Sequence, residues 1–172
     1  YEGNRQRQTS VVTSTLVPVA EREFANPTAG HQAFFKTDHR LTDTQTLVAR
    51  YRADKSTTVG NGIGGLSTKE RGNNTRRLDQ DIVANHTTII SSRALNELRF
   101  QVARRSTFSD TQGWSVDGMP EINRPSGRFG KAQNMPQGRD ENRYQLVNNL
   151  SYSRGTHDMK AGIDVSLIRG VS

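Results

Sequence analysis

From Leu47 to Asp54 apolar and polar residues alternate. In an extended strand Leu47, Ala49, Tyr51 and Ala53 fall on one face, and Val48, Arg50, Arg52 and Asp54 on the other. Just upstream, Phe34, Lys36, Asp38 and Arg40 oppose Ala33, Phe35, Thr37 and His39. Between the two lies Leu41-Thr42-Asp43-Thr44-Gln45, a short polar connection suited to a tight hairpin. The pattern then recurs. Leu98, Phe100 and Val102 oppose Glu97, Arg99, Gln101 and Ala103. Tyr144, Leu146, Leu150 and Tyr152, with the polar Asn148 among them, oppose Gln145, Val147, Asn149 and Ser151. Met159, Ala161, Ile163 and Val165 oppose Lys160, Gly162, Asp164 and Ser166. Asp81–Ser91 is β-branched and strand-like without a clear apolar face, and the Thr/Val/Ser-rich segment Arg5–Leu16 predicts one more strand.

The connections predicted between these strands alternate in length. Short ones fall near 42–45, 91–94 and 154–157, and long ones near 18–30, 57–76 and 109–142. Long structureless loops are uncommon in compact domains. Strict alternation is the habit of an outer-membrane barrel, with short periplasmic turns and long external loops. The predicted fold is therefore all-β: an antiparallel meander of about seven strands over 1–172, forming part of a transmembrane barrel. Strands 46–56, 95–108 and 158–168 would run outward, and 31–41, 77–90 and 142–153 inward. The apolar face would meet outer-membrane lipid, since an Arg or Lys there at mid-depth costs about 2–4 kcal/mol. Arg50, Arg52, Arg99, Arg104 and Lys160 are then expected to line the interior.

Composition fits a sheet with one polar face. Hydrophobic residues make up 31% of the 172 residues, and mean hydropathy is −0.79. Globular domains carry about 45–50% apolar residues counting glycine. No run of about 18 apolar residues predicts a membrane-spanning helix, but a barrel strand crosses with only about 9–11 tilted residues. The absence of cysteine excludes disulfides and thiolate metal sites. The net charge of +7 is spread along the chain without a Lys/Arg block, so no nucleic-acid partner is expected. Tyr1 begins no signal peptide, and on the barrel reading the N-terminus is missing.

Thr37-Asp38-His39-Arg40-Leu41-Thr42-Asp43, running into Leu47-Val48-Ala49-Arg50-Tyr51, resembles a barrel hairpin of TonB-dependent outer-membrane receptors. The subgroup it resembles carries an N-terminal carboxypeptidase-regulatory-like domain. Asn96-Glu97-Leu98-Arg99 resembles the strand after the next periplasmic turn. Leu150-Ser151-Tyr152-Ser153-Arg154-Gly155-Thr156-His157 followed by Lys160-Ala161-Gly162-Ile163-Asp164 resembles another hairpin, and Tyr1-Glu2-Gly3-Asn4-Arg5-Gln6 a strand just after the plug. The resemblance spans almost the whole chain. It implies a 22-stranded barrel, an internal plug domain, and uptake of a nutrient energised through TonB. Plug and TonB box are not in this sequence, so these partners would act through other parts of the protein. Rival readings are a passive porin or structural barrel, and a soluble basic β-protein that binds polyanions.

Gly60, Gly62 and Gly65 make a formal GxGxxG, but Leu66-Ser67-Thr68-Lys69 has no helical periodicity, so a flexible external loop is predicted instead of a dinucleotide site. His31, His39, His86 and His157 show no ligand spacing, so no metal is expected. Asp79 and Asp81 would share a strand face as interior charge. No nucleophile-elbow pattern or acid/base constellation predicts an enzyme, and no cofactor is implied. The richest apolar cluster outside the strands lies in 109–142, where Trp114, Arg124, Arg128 and Phe129 are candidate ligand contacts. A loop packed on its neighbours would use the same residues. The isolated chain is expected to aggregate through its open edges, or to curl closed on its apolar side.

Overall fold

The computed structural model describes residues 1–111 and 119–171. Seven long strands form one antiparallel sheet: β1 (Glu2–Val11), β2 (Glu23–Thr42), β3 (Gln45–Asn61), β4 (Asn73–Ser91), β5 (Ala94–Thr111), β8 (Gln137–Arg154) and β9 (His157–Val171). Their spatial order is the chain order, so each pairs with its predecessor and successor. Two short strands, β6 (Ile122–Arg124) and β7 (Gly127–Phe129), form a small hairpin within the connection from β5 to β8. Among the described residues β1 and β9 each have one neighbour, and the sheet is open.

The short connections are the predicted ones, tightened to Asp43-Thr44, Ser92-Arg93 and Gly155-Thr156. Register shifts at Arg40/Thr42 and Ile89/Ser91 place bulges beside the first two of these turns. The long connections all lie at the opposite, external end.

Directly opposed residues share a face. Phe35, Tyr51, Ile82, Val102, Tyr144 and Leu167 form a row across six strands. One residue further along the strands, the opposite face carries Lys36, Arg50, Val83, Gln101, Gln145 and Ser166. The next row on the apolar face is Thr37, Ala49, Ala84, Phe100, Leu146 and Val165. This resolves the ambiguity in β4: Ile82 and Ala84 join the apolar face, whereas Asp81 and Val83 join the polar one.

Burial shows which face is inside. Val83 is 2% exposed and Asp81 8%, while Ile82 between them is 53% exposed. Phe100, Leu146, Ile163 and Val165 are also exposed. The apolar side is therefore the outer, lipid-facing surface. The expected curling onto the apolar side does not occur, because the polar side chains crowd together and pair. Arg52 Nε donates to Asp81 Oδ1 at 2.7 Å, Arg99 Nε to Asn85 Oδ1 at 2.8 Å, and Gln145 Nε2 to both Asp164 oxygens at 2.8 and 2.9 Å. Lys160 approaches Glu97 at 3.9 Å.

Polar groups on the outer face are paired too. Asn96 and Asn148 exchange side-chain amide hydrogen bonds of 3.1 and 3.2 Å. Gln80 Nε2 donates to the Tyr51 hydroxyl at 2.9 Å. In hydrocarbon, where water supplies no alternative partner, such pairing removes most of the penalty of an amide.

Two expectations are corrected. Strands β2–β5 and β8 reach further outward than predicted, whereas β1 ends at Val11, short of the predicted Leu16, because Val12 and Thr13 turn aside to pair with Gly65 in the external loops. β5, with 18 residues, is about 60 Å long at roughly 3.4 Å per residue. Tilted by about 40° it rises about 45 Å, well above an apolar band of about 25 Å. The external extensions lack a regular apolar face, so alternation does not reveal them; there the ladder is joined by polar side-chain pairs such as Thr28 with Thr58 and Thr75 with Ser109. The second correction concerns Arg104. It continues the series Leu98, Phe100, Val102 and so lies on the outer face, opposite Gln80 and Asn142. It avoids the mid-membrane penalty by sitting above the apolar band.

Candidate functional site: loop cap and inner wall

Three external connections pack into a cap. The first, 12–22, and the second, 62–72, are joined by a parallel bridge from Val12 to Gly65. Thr13 N donates to Gly65 O at 2.6 Å, and Gly65 N to Val11 O at 2.9 Å. The second meets the third through Ser67 and Arg128: Arg128 N donates to Leu66 O at 2.7 Å, and Thr68 N to Arg128 O at 3.1 Å. Ser14, almost fully buried, closes the triangle by donating Oγ–H to Ser126 O at 2.5 Å. Val12, Ile63 and Ala132 are buried in this cap, so it holds three of the four buried apolar side chains among the described residues.

An ion pair fastens the third connection. Arg71 Nη1 lies 2.7 Å from Glu121 Oε1, and both side chains are largely covered. The Glu121 carboxylate also accepts from Gln133 N at 3.0 Å and from Asn123 Nδ2 at 2.8 Å. The Gln133 amide, then Asn123, then Arg71 hold its pKa down to about 2.

The glycine motif belongs to the cap. Gly60, Gly62, Gly64 and Gly65 have φ of 74°, 86°, 126° and 56°, left-handed values that other residues rarely adopt. They fold the chain back after β3. The predicted loop is present, but it is pinned between its neighbours and makes no phosphate cradle at a helix start.

Below the cap, the inner wall carries charge. Arg77, Arg105, Thr107, Ser109, Arg139 and Glu141 line a recess of about 720 Å³. Asp79 accepts from Arg77 Nε at 2.8 Å and from Arg105 Nε at 3.1 Å, while Arg139 lies 3.4 Å from Glu141. Deeper, Arg52, Asp81, Gln101 and Arg143 border a second recess of about 330 Å³. Asp79 and Asp81 are thus interior charges, each engaged by arginine.

The candidate contacts proposed from sequence separate. Phe129 is half-buried in a niche with Val12, Leu16 and Thr68. Arg124 and Arg128 are exposed on the small hairpin. None of the three lines the large recess. Trp114 lies outside the described residues. Sequence reasoning missed Arg77, Arg105 and Arg139. The available signal was the doublets Arg76-Arg77 and Arg104-Arg105, because adjacent strand residues point to opposite faces and one member of each doublet must face inward.

A family model described as an outer membrane beta barrel domain matches residues 23–170. The chain belongs to this family of outer-membrane β-barrels, and its place is the cell outer membrane. Comparisons with curated proteins and with solved structures give no significant match.

Proposed function

We propose that this chain forms part of the wall and the external loops of a TonB-dependent receptor that takes up a nutrient. The observation that carries the reading is the polar inner wall. Its Arg52, Arg77, Arg105 and Arg143 face a lumen together with Asp79, Asp81 and Glu141, a surface suited to docking an internal plug and to admitting a polar or anionic solute. The resemblance of Thr37–Tyr51, Asn96–Arg99 and Leu150–Asp164 to receptor hairpins supports it, since all three fall at the short turns. On this reading the partners are outer-membrane lipid, a plug domain and TonB, and the protein is not an enzyme. The carboxypeptidase-regulatory-like subgroup is part of the same proposal.

The test is transport by the whole protein in cells. Uptake that stops when the inner membrane is de-energised, from a barrel that does not conduct in planar bilayers, supports the receptor. Steady ion conductance without energy input supports the porin.

A further inference from the structure

The outer face has its own charge pattern, separate from the lumen. Going outward from the apolar band, the first cations are Lys55 after Ala53 on β3, Arg76 above Ile82 on β4, Arg104 after Val102 on β5, and Arg169 after Leu167 on β9. Arg5 and Arg7 on β1 extend the same face, with Arg5 opposite Ala29, in line with Thr57 and Arg76. Up to the level of Asp110 the acids on this face are Asp140, 3.8 Å from Arg104, and Asp110, 3.0 Å from Arg76. Six cations against two acids leave a belt of net charge +4. Toward the periplasmic end the outward positions Gln45, Thr88, Asn96, Leu150 and Ala161 are uncharged, with Arg154 beyond them at the end of β8, opposite His157.

We propose that this belt binds the phosphorylated headgroups of glycolipid in the outer leaflet. By strand register these residues belong to the lipid-facing side of the wall, the side opposite the inner-wall charges. They stand where apolar surface gives way to polar, which is headgroup level. Long stems lie along the wall while the charged ends reach the interface. Arg104 and Arg169 sit directly across from Asn142, one on each side. At about 4.8 Å per strand their backbones are about 10 Å apart. A phosphate between them can take two guanidinium forks and an amide donor. The long contact from Arg104 to Asp140 leaves the Arg104 fork free to turn to such a ligand.

The test is lipid retention by the whole protein in nanodiscs of phosphatidylcholine doped with bis-phosphorylated lipid A, or with its dephosphorylated form, read by native mass spectrometry. The wild type is expected to retain the phosphorylated form selectively, and less of it as salt rises. Lys55→Gln/Arg104→Gln/Arg169→Gln is expected to lower retention by roughly a hundredfold. Arg139→Gln/Arg143→Gln on the inner wall should leave it unchanged. Should the triple variant fail to fold, Arg104→Lys/Arg169→Lys is the second probe, with retention kept but weakened. Equal retention of both lipids overturns the proposal. So does salt-independent retention, or loss on changing the inner wall.

Discussion

Leu146 and Gln145 are adjacent residues that the fold assigns to opposite solvents, so arginine at each position should have opposite consequences. Leu146 lies between Phe100 and Val165 on the outer face, midway down the apolar rows. Arginine there brings a charge to mid-membrane at about 2–4 kcal/mol. Losing the leucine from lipid adds about 1.5–2 kcal/mol. The sum, about 3.5–6 kcal/mol, rivals the whole stability of many domains, about 5–15 kcal/mol. Gln145 faces inward and holds Asp164 with its amide. An arginine fork replaces that amide on the same carboxylate, and the expected change is within about 1 kcal/mol. The assay is urea titration of the whole protein folding into vesicles, followed by gel mobility of the unheated band. Leu146→Arg should fail to fold or lose several kcal/mol, and Gln145→Arg should fold as the wild type does. The reverse order would refute the assignment of faces.

Asn96→Leu leaves the Asn148 amide unpaired on the outer face and should cost about 1–3 kcal/mol, whereas Asn96→Leu/Asn148→Leu should regain most of it; a double-mutant cycle in vesicles checks this. Glu121 has a depressed pKa in the folded protein, about 2 against an ordinary 4.5. Its contribution is therefore complete above about pH 4.5 and fades as pH falls toward 2. Pepsin cleavage in the third loop should rise across that window, and Glu121→Gln should be cleaved throughout it. At Gly60, φ is 74° and an added Cβ would run into the Phe24 ring. Gly60→Ala should cost about 1–2 kcal/mol from the left-handed backbone alone, and loosening of the cap should appear as faster exchange of the Gly65 and Thr13 amides.

The strands inside the membrane were legible because lipid enforces strict alternation there. Leu47–Asp54 and Met159–Ser166 needed nothing but a count of every second residue. Above the apolar band neither side of the wall meets hydrocarbon, so Thr57–Asn61 and Gln137–Glu141 carry no such signature and read as loops. The same limit hid the recess: Arg77, Arg105 and Arg139 come together only through the register of three strands. The cap was the least legible part. Val12, Ser14, Gly65, Ser126 and Arg128 are scattered over more than a hundred positions, and nothing local says that they meet.

Because strand order in the sheet is strand order in the chain, each hairpin is a module with a single point of attachment on either side. Such a wall can gain or lose two strands by duplicating or deleting one contiguous stretch of gene, with no connection rethreaded. Barrel circumference then follows from the number of tandem hairpins. Kinship among such walls should therefore be sought in the repeated turn-to-turn unit, at spacings such as Asp43 to Arg93, before it is sought in alignments of whole chains.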